Sequence, residues 1–186
     1  MESSLVVWIV AAVAVFWGVG AYNRLVRMRS DANAAFAALE AELARQVQLV
    51  HACIPPDEAQ PASQFEGGSA FWAGLQGAAA QLAASLAFAR LRPLEPDRIA
   101  ALGSAQEVLA MAWERAERDD AHDLAGSRLP QNLSTEREQM VRMAQAATEH
   151  FNQAVLRYNA AIAQFPAVLL AKLFGFQPGR GLRARP

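Results

Sequence analysis

One stretch near the N-terminus constrains this chain more than any other. Residues Leu5 to Ala21 read LVVWIVAAVAVFWGVGA and contain no charged side chain. A run of about 17 apolar residues reaches the lower limit for a helix that crosses a bilayer core of about 30 Å. The run therefore predicts a transmembrane helix, with Trp8, Trp17 and Tyr22 as the aromatic residues at the membrane interface.

A cleaved signal peptide is the alternative interpretation of this run. Its end, Val19-Gly20-Ala21, offers the small residues that a cleavage site needs. The segment before it, however, carries Glu2 and no Lys or Arg, whereas secretory signals normally begin with positive charge. We therefore expect residues 1–21 to be retained as an anchor.

Three arginines follow the apolar run and predict its direction. Arg24, Arg27 and Arg29 lie directly after it, opposed by a single acidic residue before it. The positive-inside rule places such a cluster in the cytoplasm. We expect a single-pass protein of the cytoplasmic (inner) membrane, with the N-terminus outside and the remaining domain in the cytoplasm.

The composition of the remaining chain excludes several classes of protein. The formal net charge of the whole chain is -1, so the chain lacks the strongly basic composition that is typical of nucleic-acid binding. Cys53 is the only cysteine, so an intrachain disulfide is impossible. No stretch after the anchor alternates polar and apolar residues, and strands therefore have no candidate segment. The sequence predicts one all-α domain behind the anchor.

Apolar residues recur at spacings of three and four in four segments of that domain. The first segment continues from the anchor to Ile54 and the second covers about 70–92. The third begins near Pro96, and the fourth covers 135–165, where Thr135 and Glu138 fit a capping box.

These segments predict an antiparallel four-helix bundle over residues 22–176, followed by a basic tail at 177–186. An extended coiled coil is the alternative. The short connection at residues 92–96 favours the bundle, because closely connected helices pack as antiparallel neighbours.

The last apolar segment, residues 167–176, contains one lysine and ends near Gly175. It is either an interfacial helix that rests on the membrane or a cap on the bundle core. The basic residues expected at the membrane on this side of the chain are Lys172, Arg180, Arg183 and Arg185.

Two motifs carry a resemblance to a known family. GAYNRLVRMR occupies residues 20–29, and FNQAVLRYN occupies 151–159 and is followed by Phe165-Pro166 and LFGF at 173–176. With these motifs the chain resembles the LemA family of bacterial membrane proteins. The resemblance implies a membrane-attached helical fold with no established enzymatic activity. The motif residues are Tyr22, Asn23, Phe151, Asn152, Tyr158, Asn159, Phe165, Pro166, Gly175 and Phe176.

Two aromatic-asparagine pairs repeat seven residues apart in the fourth helix, Phe151-Asn152 and Tyr158-Asn159. Seven residues are two helical turns, so both pairs lie on one face. We expect the aromatic rings in the core and the amides at its rim, bonded across to another helix. A recognition surface is the alternative.

One acidic cluster, Asp119 to Asp123, matches the DDxxD pattern that holds magnesium and diphosphate in isoprenoid synthases. The chain has no second acidic motif for a facing helix, so we expect a solvated helix end there. His51 and Cys53 point apart on a helix. No catalytic residue, metal site or cofactor is predicted.

Taken together, these features predict a membrane-tethered helical interaction module without catalytic activity. Its expected partners are membrane lipid or an unidentified protein, and no nucleic acid. A structural homo-oligomer that organises the membrane is the alternative, and a magnesium-dependent prenyl-type enzyme that uses Asp119–Asp123 is a remote one.

Overall fold

The computed structural model describes residues 2–54, 66–122, 129, 132–165 and 167–183. Within these ranges every regular element is an α-helix, which confirms the all-α class. The five helices are α1 (Glu2–Cys53), α2 (Glu66–Leu91), α3 (Pro96–Ala121), α4 (Leu133–Ala163) and α5 (Ala167–Phe174).

Helix α1 joins the anchor to the bundle without interruption. Its first part is exposed, as Trp8 (73 %) and Phe16 (82 %) illustrate, whereas from Leu25 onward one face is buried. Among the described residues α1 is the helix that is long and apolar enough to cross a membrane. Helices α4 and α5 meet that condition only as a pair bent by 100°. The predicted long apolar helix at the N-terminus, followed by a helical domain, is thus confirmed.

The bundle is held together by a main apolar core and by a smaller one at the end where α1 leaves the anchor. Helix α1 packs against α2 and α4, and α2 packs against α3. At its centre the rings of Phe36 and Phe151 meet edge to face, with centroids 5.6 Å apart. Pro96 begins α3 at the first helical position, where its missing N–H costs no hydrogen bond.

The start of α4 differs from the prediction. The helix begins at Leu133, and the position before it, Asn132, makes no side-chain capping bond. The capping box at Thr135 and Glu138 is therefore wrong, since both residues already lie inside the helix. Leu133 is buried in the core, and its burial extends the helix beyond the local capping signal.

Helices α3 and α4 remain apart, although they are the third and fourth helices of the bundle. Within the described ranges the backbones of these two helices do not pack directly against each other. The bundle therefore contains a cleft between these two helices, and α1 forms its floor.

Helix α5 lies at the end of the bundle where α1 leaves the anchor, in contact with both α1 and α4. Gly175 ends it in the left-handed conformation (φ 69°). The Phe176 N–H then donates to the Ala171 carbonyl at 2.9 Å, which is the long hydrogen bond of a Schellman motif. This turn directs the following residues back along the bundle.

Candidate functional site

The cleft between α3 and α4 is a concave feature of the part of the chain that the structure describes. It contains a cavity of about 490 Å³, within the range typical of ligand pockets. Residues of α3 and α4 form its walls and Gln46 and Leu49 of α1 its floor. We call this feature the α3–α4 cleft.

The chain's own C-terminal segment lies at the membrane-side end of this cleft. Residues 176–183 have no regular secondary structure and run along α4 away from α5. Leu182 is buried, and its side chain approaches Gly103 of α3. A Cβ atom placed on Gly103 would lie 3.4 Å from the Leu182 Cδ1. The segment therefore fills the gap between the helices, and we call it the tail segment.

Side chains of α4 hold the backbone of the tail segment through four hydrogen bonds. Asn159 donates from Nδ2 to the Gly179 carbonyl and accepts the Gly179 N–H at Oδ1, both at 2.8 Å. Asn152 donates to the Leu182 carbonyl at 2.7 Å. The Tyr158 hydroxyl donates to the Gln177 carbonyl at 2.9 Å. All four bonds reach backbone atoms of the segment, so they do not themselves depend on its side chains.

Two glycines allow the tail segment to approach the helices closely. A Cβ on Gly181 would lie 2.6 Å from the Asn152 side-chain oxygen. A Cβ on Gly179 would lie 3.2 Å from the Leu94 Cβ. Any larger residue at position 181 therefore has to displace Asn152 or the segment itself.

An ion pair joins the walls at the far end of the cleft. Arg137 Nε on α4 lies 2.9 Å from Glu117 Oε1 on α3, and the Arg137 guanidinium lies 5.8 Å from the Trp113 ring centroid. The Arg137–Glu117 pair and the tail segment thus stand at opposite ends of the cleft. Between them the cavity extends along α4 from Arg137 to Thr148.

The lining of the cavity combines apolar and polar groups. Leu109, Trp113 and Met140 form an apolar surface, while Gln106 and Gln145 add amide groups. Eleven residues of α4 span about 16 Å. At about 3.3 Å per residue, an extended chain of about five residues matches that length.

The two family motifs meet at the membrane side of the bundle. Tyr22, directly after the anchor run, contacts Phe174 with the two rings tilted by 55° and their centroids 4.9 Å apart, and it meets Phe176 edge-on at 6.0 Å. The Arg29 guanidinium lies 6.0 Å from the centroid of Phe176. Tyr158 is buried beside Leu25 in the small apolar core at this end of the bundle. The motifs are therefore two halves of one packing unit.

The asparagines of the second motif have a different partner from the expected one. Their amides do bond across the core rim, but to the tail segment and not to another helix. Asn23 of the first motif is exposed, and Phe165 is an exposed residue at the corner before α5. Pro166 lies outside the described residues.

The basic residues predicted at the membrane separate into two groups. Arg24, Arg27 and Lys172 are exposed near the membrane-side end, whereas Arg183 lines the cavity beside Thr148. Thr148 is fifteen residues before the end of α4, so Arg183 lies about 22 Å along α4 from the membrane-side end of the bundle. Arg180 is exposed on the tail segment, and Arg185 lies outside the described residues.

The acidic cluster forms local contacts in the structure. Asp119 lies 3.7 Å from Arg115, and Asp120 accepts the Leu129 N–H at 3.2 Å. Asp123 lies outside the described residues. Over the residues that are described, no group of three His, Cys, Asp or Glu side chains is arranged to hold a metal ion.

Cys53 ends α1 far from the anchor and is partly buried. Burial raises the pKa of its thiol, and the negative charge of Glu136 raises it further. The thiolate, which is the reactive form, is therefore disfavoured.

The sequence patterns did not predict the cleft. Its lining residues include Trp113, Met140 and Arg137, which follow the same helical spacing as core residues. The signal that was present is the pair of glycines at 179 and 181, which marks a close approach of backbone to other groups.

The continuous α1 and the bundle behind it define a helical module whose first helix, among the described residues, is long and apolar enough to cross a membrane. The LemA family model matches residues 75–185, and the chain belongs to the LemA family. The matched range includes the second motif and the tail segment, and it begins after the first motif. No curated protein and no solved structure matches the chain.

Proposed function

We propose that this protein is a membrane-tethered interaction module that binds an extended segment of a protein partner in the α3–α4 cleft. One observation carries the proposal: the chain's own tail segment already lies extended between the same two helices, held by side chains that contact its backbone. The cavity continues beyond Arg183, the last residue of the tail segment that the structure describes.

The chemistry of the cavity supports an extended peptide as the ligand. The tail segment inserts one apolar side chain, Leu182, between the helices. Further along, Trp113 and Met140 offer an apolar surface for a second such side chain, and Gln106 and Gln145 offer amides for backbone groups. This combination of backbone bonds and spaced apolar sites is how extended peptides are generally recognised.

The module acts by binding, and we expect no turnover. The LemA family is not a known enzyme family, and the acidic cluster at Asp119 and Asp120 is occupied by local contacts. We place the bundle on the cytoplasmic side of the membrane, because Arg24, Arg27 and Arg29 follow the anchor.

In-cell photocrosslinking with matched positions tests the proposal. A photoreactive residue at Gln145 lines the cavity, whereas one at Gln153, exposed eight residues later on the same helix, does not. We expect a discrete adduct from position 145 alone, and its loss when Ala110→Trp fills the cavity. Circular dichroism of the Ala110→Trp chain checks that the bundle is intact.

Equal adducts from both positions, or an adduct that survives Ala110→Trp in a folded chain, would contradict binding in the cleft. An adduct with a second copy of this chain would instead support the homo-oligomer alternative. Mass spectrometry of the crosslinked peptide separates these outcomes.

A further inference from the structure

The outer face of α5 is apolar and uncovered. Leu169 (59 %), Leu173 (75 %) and Phe174 (56 %) are all exposed, as is Phe165 (81 %) just before the helix. Leu169 and Leu173 are four residues apart within α5, so they form one stripe along the helix. The opposite face is occupied: Ala171 is buried and Leu170 packs against the small core at this end of the bundle.

This arrangement bears on the two interpretations of the segment, because the inner face of α5 covers the small core and its outer leucines do not. A cap on the bundle core would bury the leucines of α5, but only Leu170 among them is even partly covered. The exposed Leu169 and Leu173 therefore have no core to fill within the described part of the chain.

The position of α5 indicates what covers its outer face. The Phe174 ring lies 4.9 Å from the Tyr22 ring, and Tyr22 directly follows the apolar run that ends at Ala21. Phe174 is therefore at the level where α1 leaves the bilayer. Tyrosines at that level mark the boundary between lipid tails and headgroups.

The orientation of α5 fits the same surface. Helix α4 runs antiparallel beside α1, and α5 turns from α4 by 100°. A helix perpendicular to the bundle axis lies parallel to the plane of a membrane that α1 crosses along that axis. Three basic residues are exposed at this end of the bundle and complement anionic headgroups, namely Lys172 of α5 and Arg24 and Arg27 of α1.

We propose that α5 is an interfacial helix, whose exposed stripe is buried in the lipid surface of the same leaflet from which α1 emerges. The bundle then has two membrane contacts, the anchor and α5, and cannot rotate freely about α1. This inference does not depend on the α3–α4 cleft.

Depth measurements on the full chain in proteoliposomes test the proposal. Cys53→Ser removes the only cysteine, so Leu173→Cys can carry a single fluorescent label. Met111→Cys on α3 is the control, because Met111 is also an exposed apolar residue (57 %) but lies fifteen residues along α3 from the membrane-side turn. Quenchers are attached to lipid tails just below the headgroups or dissolved in the water phase.

We expect the lipid-attached quencher to reduce the fluorescence at position 173 at least several-fold more than at position 111, and the aqueous quencher to show the reverse order. Equal aqueous quenching at both positions would overturn the proposal. Protection of position 173 from both quenchers would also overturn it, because the face would then be covered by protein. Labels at these exposed positions leave the core intact, and circular dichroism verifies this.

Discussion

Asn159 provides the most direct test of how the tail segment is held. Its side chain makes two hydrogen bonds of 2.8 Å with the backbone of Gly179. Each hydrogen bond contributes about 0.5–1.5 kcal/mol net, so Asn159→Ala should lower the free energy of unfolding by about 1–3 kcal/mol. Alanine is also the better helix former, which offsets up to about 0.7 kcal/mol of that loss.

A matched substitution removes this helix-propensity term. Asn33 is an exposed asparagine within α1, so Asn33→Ala gains the same propensity and loses no such contact. The difference between the two variants in urea unfolding, followed by far-ultraviolet circular dichroism of the full chain in nanodiscs, isolates the bonds to Gly179.

A double-mutant cycle then assigns the effect to the tail segment. Deleting residues 177–186 removes Gly179, and in that truncated chain Asn159→Ala should cost no more than Asn33→Ala. If Asn159→Ala is as costly in the truncated chain as in the full chain, its role lies within the helices and our account of the motif is refuted.

Four further predictions concern titration, core packing, reactivity and topology. Burial raises the pKa of the Tyr158 hydroxyl, against an opposing effect of the Arg29 charge, so its contribution to stability should be complete below about pH 10 and be lost as pH rises through the raised pKa. Tyr158→Phe should flatten this alkaline loss in pH-dependent unfolding, while Tyr158→Ala should cost about 3–5 kcal/mol at neutral pH. The raised pKa of Cys53, caused by burial and by Glu136, predicts slower alkylation at pH 7.5 than in the urea-unfolded chain, and equal rates would contradict it. A reporter fused after Pro186 should be active only in the cytoplasm, and its export would reverse the assigned orientation.

Helix positions were predictable because their signals are local. Pro96 marks the start of α3, and apolar spacing carries α1 from the anchor to Cys53. The start of α4 was not predictable, because the burial of Leu133 is a tertiary effect that outweighs the capping box at Thr135. Local signals predict that a helix forms, and tertiary packing determines the residues at which it begins and ends.

The candidate site was harder to predict, for a different physical reason. The aromatic-asparagine repeat indicated hydrogen bonds at the core rim, but its partner is an extended segment containing Pro178 and Gly179. An extended segment without periodicity has no pattern that reveals where it packs. The cleft likewise arises from the separation of α3 and α4, which no single residue encodes.

The unbroken α1 also fixes a distance. Between Tyr22 and the floor of the cleft at Gln46 and Leu49, the helix rises about 36–40 Å. The tail segment reaches the near end of the cleft about 22 Å from the membrane side. A partner anchored in the same bilayer would then need about seven extended residues between its own anchor and the bound segment, and about twelve to reach the far end. A membrane protein with a shorter juxtamembrane linker could not reach the cleft, so α1 would select partners by linker length as well as by sequence.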